Sequence, residues 1–131
     1  EGHPNELAGG KRPMHTIIPA MLRKSGKVIM PFGVMGGAYQ PCGHARFVSN
    51  MMDFGLAPQA AIDAPRCFSG VEGMMMETGY SAQTRAELAE MGHEVKISPE
   101  PIGGAQSVLI DDSGVLIGAS DPRKDGCALG Y

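Results

Sequence analysis

The sequence has no excess of positive charge and no long apolar run. Its 11 lysines and arginines stand against 14 acidic residues, which gives a formal net charge of −3, and no basic patch is visible. Nucleic-acid-binding proteins carry clustered basic residues, so a nucleic-acid partner is not expected. No apolar run approaches the roughly 20 residues that are needed to cross a bilayer, so no membrane span is expected either.

Cysteine and histidine are few and scattered. The cysteines, odd in number, far apart and without a C-x-x-C pair, are Cys42, Cys67 and Cys127. We therefore expect free or buried thiols rather than a disulfide framework. The histidines, which show neither H-E-x-x-H nor i, i+4 spacing, are His3, His15, His44 and His93. This spacing predicts no metal site, and no other cofactor is indicated.

Several catalytic and nucleotide-binding motifs are also missing. The sequence has no Ser-x-x-Lys and no Gly-x-Ser-x-Gly, and the pair Gly36-Gly37 is not followed by the Lys-Ser/Thr of a P-loop. A nucleotide-binding module built on residues 33–37 is further disfavoured because no parallel β-α-β pattern is predicted. His15 and Thr16 are neighbours in a predicted strand, where adjacent side chains point to opposite faces. They should therefore not form a catalytic dyad.

The composition nevertheless predicts a folded chain. A length of 131 residues corresponds to one domain at most, large enough for a core. The 19 glycines and 10 prolines are many, but 43% of the residues are apolar, which argues against disorder. The predicted elements, in chain order, are strands at 14–23 and 27–32, helices at 41–54 and 58–64, strands at 67–68 and 71–77, a helix at 82–91, and strands at 94–97, 105–110 and 115–119. This order fits an α+β fold with a helix layer on a largely antiparallel sheet.

Local signals give details of these elements. Ser25-Gly26 and residues 111–114 are predicted hairpin turns, Ser81 is a predicted N-cap, and Pro19 should interrupt its strand because it cannot donate a ladder hydrogen bond. The last two strands are mostly apolar, so we expect them to be covered on both faces. Predicted buried residues are Phe47, Val48, Met51 and Met52 in the first helix, the filler Met74-Met75-Met76, and Ala82, Ala86, Leu88 and Ala89 in the third helix.

The stretch from Pro31 to Pro41 is the best candidate for a site. The apolar run Val28-Ile29-Met30 leads into a glycine-rich turn at 33–37, and a helix follows. Glycine permits positive φ and lets a ligand approach the backbone, and two adjacent N–H groups can hold an anion or a developing oxyanion. The alternative is a strand-to-helix turn with no ligand, and the glycines alone favour that alternative. Asp121-Pro122-Arg123 offers an ion pair in a turn, which is usually structural.

Several longer motifs occur together and in order. They are Lys11-Arg12-Pro13, Gly36-Gly37, Val48-x-x-Met51-x-Asp53-Phe54-Gly55, Ala61-Ile62-Asp63-Ala64-Pro65-Arg66, Gly104-Ala105-Gln106-Ser107, and Gly118 to Arg123 followed by Gly130-Tyr131. In this combination the chain resembles the C-terminal portion of the small subunit of γ-glutamyltranspeptidases, over essentially its whole length.

This resemblance implies an N-terminal-nucleophile hydrolase fold, so that the α+β chain would form part of an αββα sandwich. In this family a precursor cuts itself, and the new N-terminal threonine attacks the amide of a γ-glutamyl donor such as glutathione. The acyl-enzyme then passes its acyl group to water or to an amine. The family's paired glycine amides, which hold the oxyanion, match Gly36 and Gly37 here, and the resemblance thus favours an oxyanion hole over a plain turn.

The resemblance also implies that much of the enzyme lies outside this chain. The threonine nucleophile should lie upstream of Glu1, and Thr16 cannot replace it because its amine is in a peptide bond. We expect 1–131 to be a single partial domain, inactive alone, whose partners are the large subunit and the N-terminal part of the small subunit. Because isolated sandwich strands expose unpaired edges, the chain alone should self-associate.

One departure from the family concerns donor binding. Two adjacent serines that hold the donor carboxylate in the family are replaced here by His15 and Thr16. Thr16 keeps a hydroxyl, whereas His15 is either a pocket residue or a packed side chain at the subunit interface. The parent enzyme is therefore expected to hydrolyse a carboxylate-bearing amide, γ-glutamyl or related. The alternatives are an amidohydrolase or acylase of the same superfamily with another substrate, and a non-catalytic interaction domain.

Overall fold

A computed structural model describes residues 2–130 as a mixed α/β chain. Its elements are β1 (Pro19–Lys24), β2 (Lys27–Met35), α1 (Gln40–Met52), α2 (Pro58–Asp63), β3 (Cys67–Gly70), β4 (Gly73–Met76), α3 (Ala82–Glu90), β5 (Val95–Ile97), β6 (Gly104–Ile110) and β7 (Leu116–Ser120), with 3-10 turns at Gly37–Tyr39 and Pro122–Lys124. The order of strands and helices predicted from the sequence is confirmed. The ends of the predicted opening loop and closing motif, Glu1 and Tyr131, lie outside the described residues.

The larger sheet has four strands in the order β1-β2-β6-β7, all antiparallel. The predicted hairpin is confirmed: β1 and β2 meet at Ser25 and Gly26, both of which have positive φ. The predicted interruption at Pro19 is wrong. Pro19 is the first residue of β1, where the lost donor matters least, and the register instead shifts between Leu22 and Arg23. Residues 14–18 precede the strand and pair with nothing in the sheet.

The second sheet was not predicted. It has three strands in the order β3-β4-β5, with β3 and β4 antiparallel and β4 and β5 parallel. The expectation of one largely antiparallel sheet is therefore wrong in this respect. Each strand was predicted from local composition, but the choice of a pairing partner depends on contacts between residues far apart in sequence.

Helices α1 and α2 pack on one face of the larger sheet and form the main core with it. The core comprises Met30, Val34, Tyr39, Phe47, Ala61, Ile62, Ala105 and Ala119. The opposite face is open: Val108 is partly exposed, and Leu116 is mostly exposed. Within the described residues, therefore, the expectation that β6 and β7 are covered on both faces is wrong, because the helices reach only one of them.

The helix predictions are confirmed in position and partly wrong in burial. Phe47 is buried, Val48 and Met51 are half-buried, but Met52, the last residue of α1, is exposed. The Ser81 hydroxyl accepts the Thr84 N–H at 2.9 Å, as an N-cap does. The third helix does not bury the residues assigned to its inner face: Leu88 is half-buried and the alanines Ala82, Ala86 and Ala89 are exposed.

The alanines of α3 are exposed because of where this helix packs. It lies beside β5 at the edge of the smaller sheet rather than on the main core. Of the three consecutive methionines, Met76 is fully buried and the other two are half-buried, which agrees with a role as core filler. The cysteines of residues 2–130 are free, and no helix in that range is long and apolar enough to cross a membrane.

Candidate functional site

The glycine turn connects β2 to α1 and is shorter than the sequence suggested. Gly33 lies inside β2, paired with Gln106 of β6, so it is a strand residue rather than part of the turn. The chain reverses at Gly36 and Gly37, whose φ angles are 135° and 58°. Both angles lie in the region that favours glycine. The turn is thus formed by the two residues that match the family's oxyanion glycines.

The carbonyls of this turn are used, whereas its amides are not. The Gly36 carbonyl accepts the Tyr39 N–H at 3.1 Å, and the Gly37 carbonyl accepts the backbone N–H of Gln40. Among the turn and loop hydrogen bonds of residues 2–130, neither glycine N–H acts as a donor. Two adjacent donors without a protein partner can bind an anionic oxygen.

The two glycines are needed for different reasons. A Cβ at Gly36 would lie 3.0 Å from the Cα of Gly103, so the next loop packs directly against this backbone. A Cβ at Gly37 would have no heavy atom within 4 Å. Gly36 therefore packs against the loop that contains Gly103, whereas the Gly37 backbone faces open space from which a ligand can approach.

Tyr39 supports the turn from beneath. Its ring is buried and meets Phe68 edge to face, with centroids 5.7 Å apart. A Cβ placed on any of three glycines would crowd this ring: at Gly36 it would come within 3.2 Å, and at Gly43 and Gly103 within 2.7 Å. Burial raises the pKa of Tyr39 above its ordinary value of 10.0, so the phenol stays neutral. The turn thus rests on a fixed aromatic surface.

Gln40 links the turn to the segment that carries Thr16. Its side-chain Nε2 donates to the Thr16 carbonyl at 2.8 Å and to the Gly37 carbonyl at 3.3 Å. The structure therefore brings Thr16, Gly36 and Gly37 into one region. His15 is exposed and does not line the cleft described next.

An open cleft of about 1560 Å³ lies along the uncovered face of the larger sheet. Thr16, Gly36, Gly37 and Gln40 line one part of it, and its other walls are mostly apolar strand residues. Among the lining residues, Lys124 is the single charged side chain, and within residues 2–130 its ammonium forms no ion pair.

The stem of Lys124 lies across the start of β6. A Cβ at Gly104 would be 2.6 Å from the lysine Cγ and 3.3 Å from the Cγ of Met35, the residue before the glycine turn. Glycine at position 104 therefore lets the lysine stem lie flat close to the turn. Sequence reasoning missed both Lys124 and Gln40. The position of Gln40 between the glycine turn and Pro41 was a sequence feature that could have indicated a role at the site. No feature of the neighbouring sequence indicated such a role for Lys124.

A buried ionic network lies behind the site. Arg66 donates to the Asp121 carboxylate at 2.5 Å, and both side chains are almost completely buried. Arg123 binds Glu77 through two nitrogens, at 2.9 and 2.7 Å, and approaches Asp121 at 3.3 Å. The predicted Asp121–Arg123 ion pair is confirmed as structural. Arg66 and Glu77 were missed because they are distant in sequence from both partners.

The acidic members of this network are held in their charged forms. Burial alone opposes ionisation of Glu77, but hydrogen bonds from Arg123 and from backbone N–H groups outweigh it and lower its pKa. Asp121 behaves in the same way: burial is outweighed by the Arg123 N–H, Arg66 and the Ala105 N–H, so its pKa is lowered. Within residues 2–130 no group of three or more His, Cys, Asp or Glu residues is arranged to hold a metal ion.

Comparison with solved structures defines the class of protein. The chain superposes on a cephalosporin acylase from Bacillus halodurans with a TM-score of 0.82 and 39% identity, covering 99% of this chain and 26% of that one. It also superposes on the γ-glutamyltranspeptidase of Pseudomonas nitroreducens with a TM-score of 0.77 and 23% identity, covering 100% of this chain and 69% of that one. The fold is thus that of N-terminal-nucleophile hydrolases of the γ-glutamyltranspeptidase type.

The family follows from the sequence comparison. The gamma-glutamyltranspeptidase family model matches residues 1–131, and the chain belongs to this family. It is 37% identical to the glutathione hydrolase-like YwrD proenzyme of Bacillus subtilis strain 168, over 99% of this chain. The match covers 26% of that relative, so the chain spans about a quarter of its length.

Proposed function

We propose that this chain is the part of an amide-cleaving, acyl-transferring enzyme that supplies the oxyanion-binding turn and part of the donor pocket. The attacking threonine, the large subunit and the N-terminal part of the small subunit come from the rest of the protein. The threonine attacks the carbonyl of a γ-glutamyl or related amide such as glutathione, and an acyl-enzyme forms. Water or an amine then accepts the acyl group. The observation that carries this proposal is the pair of unpartnered amides at the edge of the cleft.

Gly36 and Gly37 have the chemical role of the oxyanion hole. When the nucleophile adds to the amide carbon, the carbonyl oxygen gains negative charge and needs donors already in place. The two N–H groups cost no reorganisation at that moment, because Tyr39 and Gly103 hold the turn in shape. One such donor contributes roughly 10²–10³-fold to kcat in enzymes of this kind.

The donor pocket is proposed to recognise a carboxylate on the acyl group. Thr16 lines the cleft and offers a hydroxyl, and Lys124 offers an uncompensated positive charge. His15 contributes from the rim of the pocket or packs against another subunit.

A second candidate is an amidohydrolase or acylase that acts on a different amide. One observation favours it: His15 and Thr16 replace the serines that hold the γ-glutamyl carboxylate in the family. The similar cephalosporin acylase shows that this fold also occurs in a protein named for another amide substrate. Both candidates use the same turn and differ only in the acyl group that is bound.

The test is to express the full-length protein and assay γ-glutamyl-p-nitroanilide beside simple amide donors with and without a carboxylate. Turnover of the γ-glutamyl donor supports the first candidate, and turnover of other amides alone supports the second. No turnover of any donor would contradict both and favour a non-catalytic interaction domain. The isolated chain should be inactive in every assay.

Lys124→Met sharpens the question of substrate class. Because Lys124 is exposed, loss of the cation should raise KM for a carboxylate-bearing donor by up to about fivefold, and leave a matched donor with an uncharged carboxamide nearly unchanged. Lys96→Met is the matched control, because Lys96 pairs with Glu94 outside the cleft. Equal effects on both donors would remove Lys124 from carboxylate recognition.

A further inference from the structure

Gln40 occupies an unusual place for a polar side chain. It is the first residue of α1, only 7% exposed, and directly follows the ring that supports the glycine turn. Its Nε2 carries two hydrogens and reaches two carbonyls, one on Gly37 and one on Thr16. The first carbonyl is local to the helix start, whereas the second belongs to a segment 24 residues earlier in the chain.

The hydrogen bond from Gln40 to the Thr16 carbonyl holds residues 12–18 in place. Residues 12–18 are exposed, belong to no strand or helix, and pair with nothing in the sheet, which begins at Pro19. Among the side-chain and turn hydrogen bonds of residues 2–130, the one from Gln40 is the single bond to residues 12–18. Without it, the Thr16 hydroxyl would have no fixed position relative to the glycine amides.

We propose that Gln40 is a positioning residue that couples the oxyanion turn to the donor-binding segment. One amide group spans the two parts, so the distance between the oxyanion site and the Thr16 hydroxyl is set by the length of a single side chain. This inference rests on the proposed function and deepens it. Gln40 itself does not need to touch the substrate; it acts through Thr16 and Gly37.

The inference predicts a defined kinetic signature in the full-length enzyme. Gln40→Met keeps the size of the side chain and removes both donated hydrogen bonds. A hydrogen bond contributes about 1 kcal/mol, so KM for the preferred donor should rise by about fivefold, with a smaller change in kcat. Gln40→Glu has the same shape and also lacks the donor at neutral pH, so it should change KM in the same direction and serves if the Met variant does not fold.

Gln59→Met is the matched control. The Gln59 side chain also bonds to backbone, donating to the Ser120 carbonyl at 2.9 Å and accepting the Ser120 N–H at 3.0 Å, but it does not line the cleft. It should lower thermal stability by a similar amount and leave KM within about twofold of wild type. An equal rise of KM in both variants would assign the effect to general loosening and overturn the proposal.

A double-mutant cycle with Thr16→Val separates positioning from simple structural support. This variant removes the Thr16 hydroxyl and keeps the carbonyl that Gln40 binds. If Gln40 acts by placing that hydroxyl, Gln40→Met should change KM by less than about twofold in the Thr16→Val background. Independent, multiplicative effects would overturn the coupling. A wild-type enzyme that turns over no amide would refute the proposed function itself, whereas an active wild type with an unaffected Gln40→Met variant would refute only this inference.

Discussion

The two polar regions of this molecule, the buried ionic network and the glycine turn, differ in how their hydrogen-bonding groups are used. In the buried network, Asp121 accepts from Arg66, Arg123 and the Ala105 N–H, and Glu77 accepts from Arg123 and two backbone amides. At the glycine turn, two amides face a cleft with no protein acceptor. The comparison indicates which region stabilises the fold and which is available for a ligand.

The charged groups of the buried network all have partners because the network joins segments that are separate in the sequence. Arg123 and Arg66 both donate to carbonyls at the end of α2, and Arg66 also donates to the Ile102 carbonyl before β6. Every charge therefore meets a partner, and none remains for a substrate. The cleft is the reverse case: Lys124 and the two glycines line it, and within residues 2–130 neither the ammonium nor the glycine amides have a protein partner. The difference predicts that damage to the network lowers stability and that damage to the cleft lowers activity.

The largest effect is expected from Asp121→Asn. It leaves Arg66 as a buried charge without its counter-ion, which should lower the free energy of unfolding by about 3–5 kcal/mol. The measurement is urea denaturation of the full-length protein, with Asp112→Asn, an exposed aspartate in the turn between β6 and β7, as control. A loss below about 1 kcal/mol for Asp121→Asn would show that the network does not stabilise the fold.

Substitutions in the glycine turn should lower activity. Gly36→Pro removes one amide donor and cannot adopt a φ of 135°, so kcat of the full-length enzyme should fall by roughly 10²–10³-fold or more. Gly37→Ala keeps its N–H and adds a methyl group in open space, so its loss should be nearer tenfold, from a left-handed backbone cost of about 1–2 kcal/mol. Mass spectrometry checks that both variants are still processed. Unchanged turnover of Gly36→Pro would remove Gly36 from the site.

The network should stabilise the fold at neutral pH and lose this effect at acidic pH. The pKa values of Asp121 and Glu77 are lowered in the folded state, so their stabilisation is complete above the ordinary values of 3.8 and 4.5 and is lost as the pH falls through the lower folded values. The melting temperature should therefore be flat near neutral pH and fall below about pH 4.5. Glu77→Gln should flatten that fall, and an unchanged acid profile in this variant would contradict the assignment.

The smallest effect is expected at the surface. Lys96 and Glu94 form an ion pair at 2.8 Å, but their side chains are 45% and 70% exposed. Lys96→Met should change the free energy of unfolding by no more than about 0.5 kcal/mol. A loss as large as that of Asp121→Asn, measured in the same denaturation series, would mean that burial does not determine how much an ion pair contributes to the free energy of unfolding.

Local features of the fold were predictable from the sequence because neighbouring residues determine them. The hairpin turn at Ser25-Gly26, the N-cap Ser81 and the strand-to-helix turn at Gly36-Gly37 each depend on the φ preferences or side-chain hydrogen bonds of a few adjacent residues. The start of the first strand was predicted five residues too early, because residues 14–18 are rich in β-branched and apolar side chains but have no pairing partner in the sheet.

Long-range features were not predictable in the same way. Arg66 and Asp121 are 55 residues apart, and neither position marks the other in a single sequence. The parallel pairing of β4 with β5, and the open face of β6 and β7, likewise depend on which surfaces meet after the chain has folded. At the site, the glycines were recognisable through the family's motifs, whereas Gln40 and Lys124 became relevant only when the cleft brought them together.

The ring of Tyr39 links three glycines that are far apart in the sequence. A methyl group at Gly36, Gly43 or Gly103 would crowd this one side chain, so the three positions share one steric constraint in addition to their own contacts. Substitution by alanine at Gly43, where φ is not positive, should be tolerated better when position 39 carries a smaller residue, although Val34 also lies within 2.6 Å of the added carbon. In a set of related sequences, the size of residue 39 should therefore vary together with the presence of glycine at position 43, whereas Gly36 and Gly103 are also required by positive φ and by backbone contacts.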